Sequence, residues 1–125
     1  GPFRSGVSTH IQNAAGILHG IILRLAYDDP FSSYSLRRLA TIYLITAHLY
    51  YEYDESLLPD HVFDHLCKYL SENSERMLDE GVWHLSLIDK EALDAGTGYQ
   101  VAGRCPITIQ NIASAMLRKP KRKRK

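Results

Sequence analysis

Residues 36–53 read LRRLATIYLITAHLYYEY and form the most apolar and aromatic stretch of the chain. Apolar side chains recur in this stretch at three- and four-residue steps, which is the period of an α-helix. They cover more than one stripe of that helix, and a helix that is apolar on several sides is buried among its neighbours. The sequence therefore predicts a central helix that carries Leu36, Leu39, Ile42, Tyr43, Ile45, Leu49, Tyr50 and Tyr53.

A first amphipathic helix is predicted upstream of the central one. It begins at Ser8 or Thr9, both of which are good N-cap residues, and its apolar positions between residues 11 and 25 repeat at helical spacing. Gly16 and Gly20 lie inside it, where each costs about 1 kcal/mol relative to alanine. We expect another helix to pack closely against these glycines.

The boundaries of the second and third helices follow from residues that start helices. Ser32 or Ser33 can cap the central helix, after the break at residues 28–30. Pro59 is well placed to begin a third helix, with Asp60 in the first turn, where a negative charge suits the helix dipole. The predicted buried face of this third helix consists of Val62, Leu66, Tyr69 and Leu70.

The C-terminal half carries weaker patterns. A short helical turn is predicted at 75–78, ending near Gly81, and another is flanked by Asp89 or Asp94. The apolar run 82–88 is too short to assign, residues 95–99 are predicted to form a loop, and a final helix is predicted over Ile107–Leu117. The fold class that follows is mainly α, a small single-domain helical bundle.

The length of 125 residues suits one domain, because two domains would each bury too little apolar surface. Residues 1–7 are interpreted as a leader in which Gly1 and Pro2 look like a cleavage scar from recombinant expression. Residues 8–117 form the predicted helical domain. Residues 118–125 form a basic tail that is predicted to be disordered.

The charge is unevenly distributed along the chain. The tail supplies seven of the fifteen basic residues, so the rest of the chain has eight basic and fourteen acidic side chains, a net charge of −6. An acidic body argues against a nucleic-acid-binding face on the folded domain. The tail leaves open a weak, salt-sensitive contact with nucleic acid.

The two cysteines, Cys67 and Cys105, lie far apart without the spacing of a zinc site or a disulfide framework. A reducing compartment therefore fits best, and we expect a cytoplasmic protein. No apolar run approaches the roughly 20 residues that cross a bilayer, so a membrane partner is not expected.

Two tyrosines end the central helix, and two carboxylates with an aromatic ring open the next one. Tyr50 and Tyr51 are separated by a short loop from Asp60, Phe63 and Asp64. Asp60 and Asp64 are four residues apart and share one helix face, with Phe63 beside them. Rings that can stack on a flat cationic ring, next to carboxylates that offset its charge, predict a helix-loop-helix nucleotide pocket.

Two other features bear on this pocket. Gly96, Thr97 and Gly98 are too short to be a phosphate loop alone, but their backbone N–H groups and the Thr97 hydroxyl can contribute to a ligand site. The alternative to a pocket is that the tyrosines belong to the core, since aromatic residues at helical spacing are usually buried, while Asp60 only starts the helix and Asp64 is solvated.

This pattern resembles the small N-terminal helical domain of bacterial NAD-dependent DNA ligases, which captures the nicotinamide mononucleotide (NMN) half of NAD. That family has a Tyr-Tyr or Tyr-His pair, a short loop, then Asp-x-x-Tyr-Asp and a leucine two residues later. The matching positions here are Tyr50, Tyr51, Asp60, Phe63, Asp64 and Leu66. The departure is Phe63, which keeps a stacking face but lacks the hydroxyl of the usual tyrosine.

The resemblance covers residues 36–70 well. Small ligase-related phage proteins are similar over more of the chain, including residues 87–90 and 95–99. The resemblance implies that the chain binds NMN, NAD or an ADP-ribose-derived nucleotide as a ligand, with no catalytic cofactor.

Catalytic machinery is not expected. A ligase of that family needs a nucleophilic lysine in a Lys-x-Asp-Gly motif, and Lys90 lies in the sequence Asp-Lys-Glu-Ala instead. His61 and His65 are spaced like a metal pair but lack the glutamate of HExxH and an evident third ligand, so no metal is predicted.

Three functions remain open. The first is a phage protein that binds an NAD-derived immune signal made by a TIR enzyme and so sequesters it, an anti-Thoeris-like sponge. The second is an accessory NAD- or NMN-binding subunit of a split NAD-dependent DNA ligase. The third is a helical protein-interaction module whose pocket has decayed. A homo-oligomer is compatible with all three.

Overall fold

The computed structural model describes residues 9–82, 87–88, 90–98 and 103–117. These residues form a small, mainly helical single domain without strands, as predicted. The helices are α1 (Thr9–Ala26), α2 (Leu36–Tyr53), α3 (Asp60–Glu72), α4 (Ser74–Asp79), α5 (Lys90–Ala95) and α6 (Ile107–Leu117), with a 3-10 turn at Phe31–Ser33.

Helix α2 is the centre of the domain, as its apolar composition predicts. It is buried at every position from Ile42 to Leu49. Helix α6 packs against both α1 and α2, and α3 packs against α2 and α5. The buried hydroxyl of Tyr43 donates a hydrogen bond to the Thr97 carbonyl oxygen at 2.8 Å, which satisfies the partner that a buried tyrosine needs.

The helix boundaries confirm most of the predictions and correct one of them. Thr9 begins α1, Asp60 begins α3 immediately after Pro59, and Ile107–Leu117 is a helix. The cap of α2 is Ser35, whose hydroxyl accepts from the Arg38 N–H at 3.1 Å. The prediction of Ser32 or Ser33 is wrong because both serines lie in the preceding 3-10 turn.

The predicted buried face of α3 is confirmed for Val62, Leu66 and Leu70, whereas Tyr69 is half-buried. Helix α4 confirms the predicted turn at 75–78, and Gly81 follows it with a φ of +67°. Asp94 lies within α5 rather than at its edge.

Some predictions fall outside the described residues. These are the leader at 1–7, Ser8 as a cap, Asp89, the centre of the run 82–88, the end of the loop 95–99 at Tyr99, and the tail at 118–125.

No described helix covers the two glycines of α1, so the prediction of close packing there is wrong. Among the described residues, a Cβ atom on Gly16 would meet nothing within 4 Å, and one on Gly20 would meet only the end of the flexible Arg24 side chain at 3.6 Å. The packed face of α1 is formed instead by Ala15, Leu18, Ile21, Ile22 and Leu25. Gly16 therefore carries the entropic cost of glycine without a packing benefit.

Replacing Gly16 with alanine should raise the free energy of unfolding by about 1 kcal/mol, because the position is helical and its Cβ has open space. Urea denaturation of the variant and the parent measures the difference. A loss of stability would mean that this face of α1 is covered after all.

Candidate functional site

A cavity of about 260 Å³ lies between the end of α2, the loop that follows it and the start of α3. Five of the six side chains that the sequence predicts for a nucleotide site line this cavity. They are Tyr50, Tyr51, Asp60, Phe63 and Asp64. The sixth predicted residue, Thr97, lies next to it and is bonded to Tyr51.

The tyrosine pair stands at the exposed end of α2. The two rings lie edge to face, with centroids 4.9 Å apart and an interplanar angle of 89°. Tyr50 is 48% exposed and Tyr51 is 39% exposed, whereas Tyr43, two helical turns earlier, is fully buried. The part of the alternative that places these two tyrosines in the core is therefore wrong, whereas Asp60 does begin α3 and Asp64 is exposed to solvent, as that alternative expects. The two tyrosines are large aromatic surfaces left open to solvent at the cavity.

The chain reverses direction between α2 and α3 through a left-handed residue. Asp54 has a φ of 59° and a ψ of 33°, and its N–H bonds to the Leu49 carbonyl group, as in a left-handed helix C-cap. The Glu55 N–H also bonds to that carbonyl, at 3.0 Å. Ser56 donates to the Leu58 carbonyl oxygen at 3.0 Å, which closes the loop. This tight reversal brings the first turn of α3 beside the last turns of α2.

Helix α3 contributes two carboxylates and one ring. Asp60 and Asp64 are one helical turn apart and exposed, and neither forms an ion pair with any described residue. Phe63 is half-buried, and its ring stacks on that of Tyr43 with centroids 5.7 Å apart and an interplanar angle of 19°. Tyr43 thus links the buried core to the aromatic wall of the cavity.

The glycine-containing loop after α5 completes the rim. The hydroxyls of Thr97 and Tyr51 lie 3.1 Å apart in a hydrogen bond. Gly96 has a φ of +72°, and a Cβ atom there would lie 2.7 Å from the Asp64 Oδ1 atom. A Cβ on Gly98 would overlap the Ala47 methyl group. Both glycines are therefore required for the loop to lie against α2 and α3.

The charges that line the cavity are of one sign. Among the described residues, its lining includes the carboxylates of Asp60 and Asp64 and no lysine, arginine or histidine. The remaining polar groups come from hydroxyls of Tyr50, Tyr51, Thr46 and Ser56. An apolar floor with carboxylates and aromatic rings suits a flat, positively charged ligand.

Sequence analysis missed several lining residues, namely Thr46, Ala47, Ser56, Leu57, Leu58 and Gly96 as a wall. Thr46 and Ala47 lie one helical turn before the tyrosine pair, so helical spacing could have identified them. Gly96 reaches the cavity only through tertiary packing, for which the sequence gives no local signal.

Other chemistry is sparse in the described part of the chain. His61 and His65 have ring centroids 6.3 Å apart, and no group of three or more metal-ligating side chains occurs there. Burial raises the pKa of the Cys67 thiol to about 12 and that of Cys105 to about 11, so neither is a thiolate nucleophile at neutral pH. Among the described helices, none combines the length and apolar character that a bilayer span requires.

Comparison with protein-family models, curated protein sequences and solved structures finds no match for this chain. The resemblance to the ligase NMN-binding domain therefore rests on the six residues of the motif and stays a prediction.

Replacing Gly98 with alanine should lower the free energy of unfolding by about 1–3 kcal/mol, the usual cost of overpacking a tight contact. The added methyl group overlaps Ala47 on the central helix, which cannot rotate away as a long side chain would. Urea denaturation provides the measurement, with Gly16→Ala as the matched glycine-to-alanine change that has free space. Equal stabilities of the Gly98 variant and the parent would contradict the described position of this loop.

Proposed function

We propose that this chain binds a nicotinamide nucleotide, either NMN or the NMN half of NAD, in the cavity between α2 and α3 and does not react it. The observation that carries the proposal is the pairing of exposed aromatic rings with two carboxylates that have no ion-pair partner among the described residues. Tyr50 and Tyr51 offer the rings, and Asp60 and Asp64 offer the carboxylates.

The aromatic part of the cavity supports a planar ligand. Two adjacent exposed rings at the mouth of a cavity offer apolar surface on which a flat heterocycle can stack. The oxidised nicotinamide ring is flat and cationic, so stacking on a tyrosine gains a cation–π contribution in addition to buried area. The loss of a hydroxyl at Phe63 does not reduce this stacking, and Tyr43 fixes the Phe63 ring in place.

The carboxylates support the same ligand and discriminate against a close relative. Asp60 and Asp64 can accept hydrogen bonds from a carboxamide or ribose hydroxyls, and their charges attract the pyridinium ring. ADP-ribose lacks that ring, so it gains neither the cation–π contribution nor the attraction of the two carboxylates. The cavity therefore favours a nucleotide that retains nicotinamide over an ADP-ribose-type signal.

A non-catalytic role follows from the chain's chemistry. The sequence contains no Lys-x-Asp-Gly motif to take up an adenylyl group. A stoichiometric binder acts by lowering the free concentration of its ligand, and this is the sponge role. The same binding also suits an NAD-delivering ligase subunit, which requires a second protein. The sponge role becomes the better account if an ADP-ribose-derived nucleotide binds more tightly than NMN.

The proposal is tested by thermal melting with NMN, NAD, ADP-ribose and cyclic ADP-ribose isomers. A ligand present at about 100 times its dissociation constant adds about 2.7 kcal/mol to the free energy of unfolding. We expect NMN and NAD to raise the melting temperature, and ADP-ribose to have a smaller effect. No shift with any of the four would contradict nucleotide binding, and a shift with ADP-ribose alone would contradict the charge argument.

Replacing either Asp60 or Asp64 with asparagine keeps the shape of the side chain and removes its charge. Each change should weaken NMN binding by roughly tenfold or more, since hydrogen bonds to charged groups contribute about 1.5–3 kcal/mol. Calorimetric titration measures the affinities. Asp79→Asn at the end of α4 is the matched control, because Asp79 is exposed and does not line the cavity. Unchanged affinity in both site variants would show that the carboxylates do not hold the ligand.

A further inference from the structure

A second cavity of about 390 Å³ adjoins the first one and differs from it in charge. The two cavities share Asp64 and Gly96 in their linings, so they adjoin each other along this edge. The second cavity is lined by residues of α3 and α5 and includes His65 and Lys68. Among the described lining residues, basic side chains occur in the second of the two adjoining cavities, together with the carboxylates of Asp64 and Asp94.

The change of sign follows the α3 helix. Asp60, Asp64 and Lys68 are spaced four residues apart and therefore form one row along the helix surface. At a rise of about 1.5 Å per residue, Lys68 lies about 6 Å further along the axis than Asp64. From the start of α3 onward, the row therefore has two negative side chains followed by a positive one. A ligand lying along it meets carboxylates at one end and an ammonium group at the other.

The Lys68 ammonium group is not neutralised within the described residues. No ion pair joins it to Asp64, although the two are one turn apart on the same helix. The other carboxylate of the second cavity, Asp94, is already bonded to the Ser71 hydroxyl and lies 3.4 Å from the Lys90 ammonium group. The Ser71 hydrogen bond and the nearby Lys90 charge lower the pKa of Asp94, so its negative charge is held at α5.

We propose that this second cavity is a phosphate subsite, in which the Lys68 ammonium group, with an N–H of His65, binds the 5′-phosphate of the nicotinamide nucleotide. The inference rests on the proposed function, because it requires the nicotinamide ring in the first cavity. A nicotinamide 5′-nucleotide is a zwitterion with a cationic ring and an anionic phosphate joined through a ribose. Its two charges match the order of charges along α3, so the site selects the phosphorylated nucleotide over the nucleoside.

Two ligands that differ only in the phosphate test this proposal. NMN and nicotinamide riboside are titrated by calorimetry into the parent protein and into Lys68→Gln. We expect the parent to bind NMN more tightly than the riboside. The substitution should weaken NMN binding by about tenfold or more, the size expected for a lost charge-assisted hydrogen bond, and leave riboside binding unchanged. The advantage of NMN over the riboside should therefore largely disappear in the variant.

Arg37→Gln is the matched control for the loss of one positive charge. Arg37 is exposed near the start of α2, about 20 Å along the helix axis from Tyr50. This variant should bind both ligands as the parent does. An equal loss of NMN affinity in the two variants would show that only net charge matters and would overturn the subsite.

The remaining outcomes separate this inference from the proposed function. If the parent binds both ligands equally and Lys68→Gln changes neither affinity, the phosphate subsite is wrong and nicotinamide binding stands. If Lys68→Gln weakens both ligands to the same extent, Lys68 supports the fold of the site and does not contact phosphate. If the parent binds neither ligand, the proposed function itself fails.

Discussion

The buried hydroxyl of Tyr43 is the constraint on which the site depends. Tyr43 lies within the fully buried part of α2, and its hydroxyl needs an acceptor because an unpaired polar group there would cost about 1–3 kcal/mol. The acceptor is the Thr97 carbonyl oxygen, 54 residues further along the chain. This bond holds the glycine-containing loop against the central helix, together with the hydrogen bond between the Thr97 and Tyr51 hydroxyls. The ring of Tyr43 supports Phe63 from behind.

The aromatic side of the cavity forms because the last turn of α2 is less buried than its middle. The middle of this helix is covered on all sides, but its last turn projects beyond the helices that cover it, so Tyr50 and Tyr51 remain exposed. The left-handed cap at Asp54 then returns the chain at once, and α3 begins beside the exposed turn. The burial of Tyr43, the exposed end of α2 and the tight reversal at Asp54 together bring the rings and carboxylates to one place.

The sequence was most informative where periodicity is strong. The apolar pattern predicted α1, α2, α3 and Ile107–Leu117 closely, because a buried helix face requires apolar residues at regular three- and four-residue steps in the sequence. The sequence was less informative about which residue caps a helix and which glycine is tightly packed. Ser35 caps α2 in place of two equally suitable serines, because the 3-10 turn before it is stabilised by short-range contacts that the pattern does not record. Gly16 lies on an open surface although glycine in a helix often marks close packing.

The site was predictable in part for the same reason. Tyr50, Tyr51, Asp60, Phe63 and Asp64 are close in sequence, so a helix-loop-helix was enough to bring them together. Lys68 was not identified, since it lines a cavity that is formed only when α3 packs against α5. Gly96 was predicted as a contributor of backbone N–H groups, but its contact with Asp64 depends on tertiary packing. Residues that come from distant parts of the sequence can be assigned to a site only once the fold is known. Both cavities are lined by such a residue, Gly96, in the loop after α5.

The central claim is that a nicotinamide nucleotide occupies the cavity between α2 and α3. Its most direct test is titration of the isotope-labelled protein with NMN, followed by amide chemical shifts. The account predicts saturable shifts at Tyr51, Asp64 and Gly96, which surround the cavity from three different elements, and none along the exposed face of α1. Saturable shifts centred on α1 and α6, or no shifts at millimolar NMN, would contradict it.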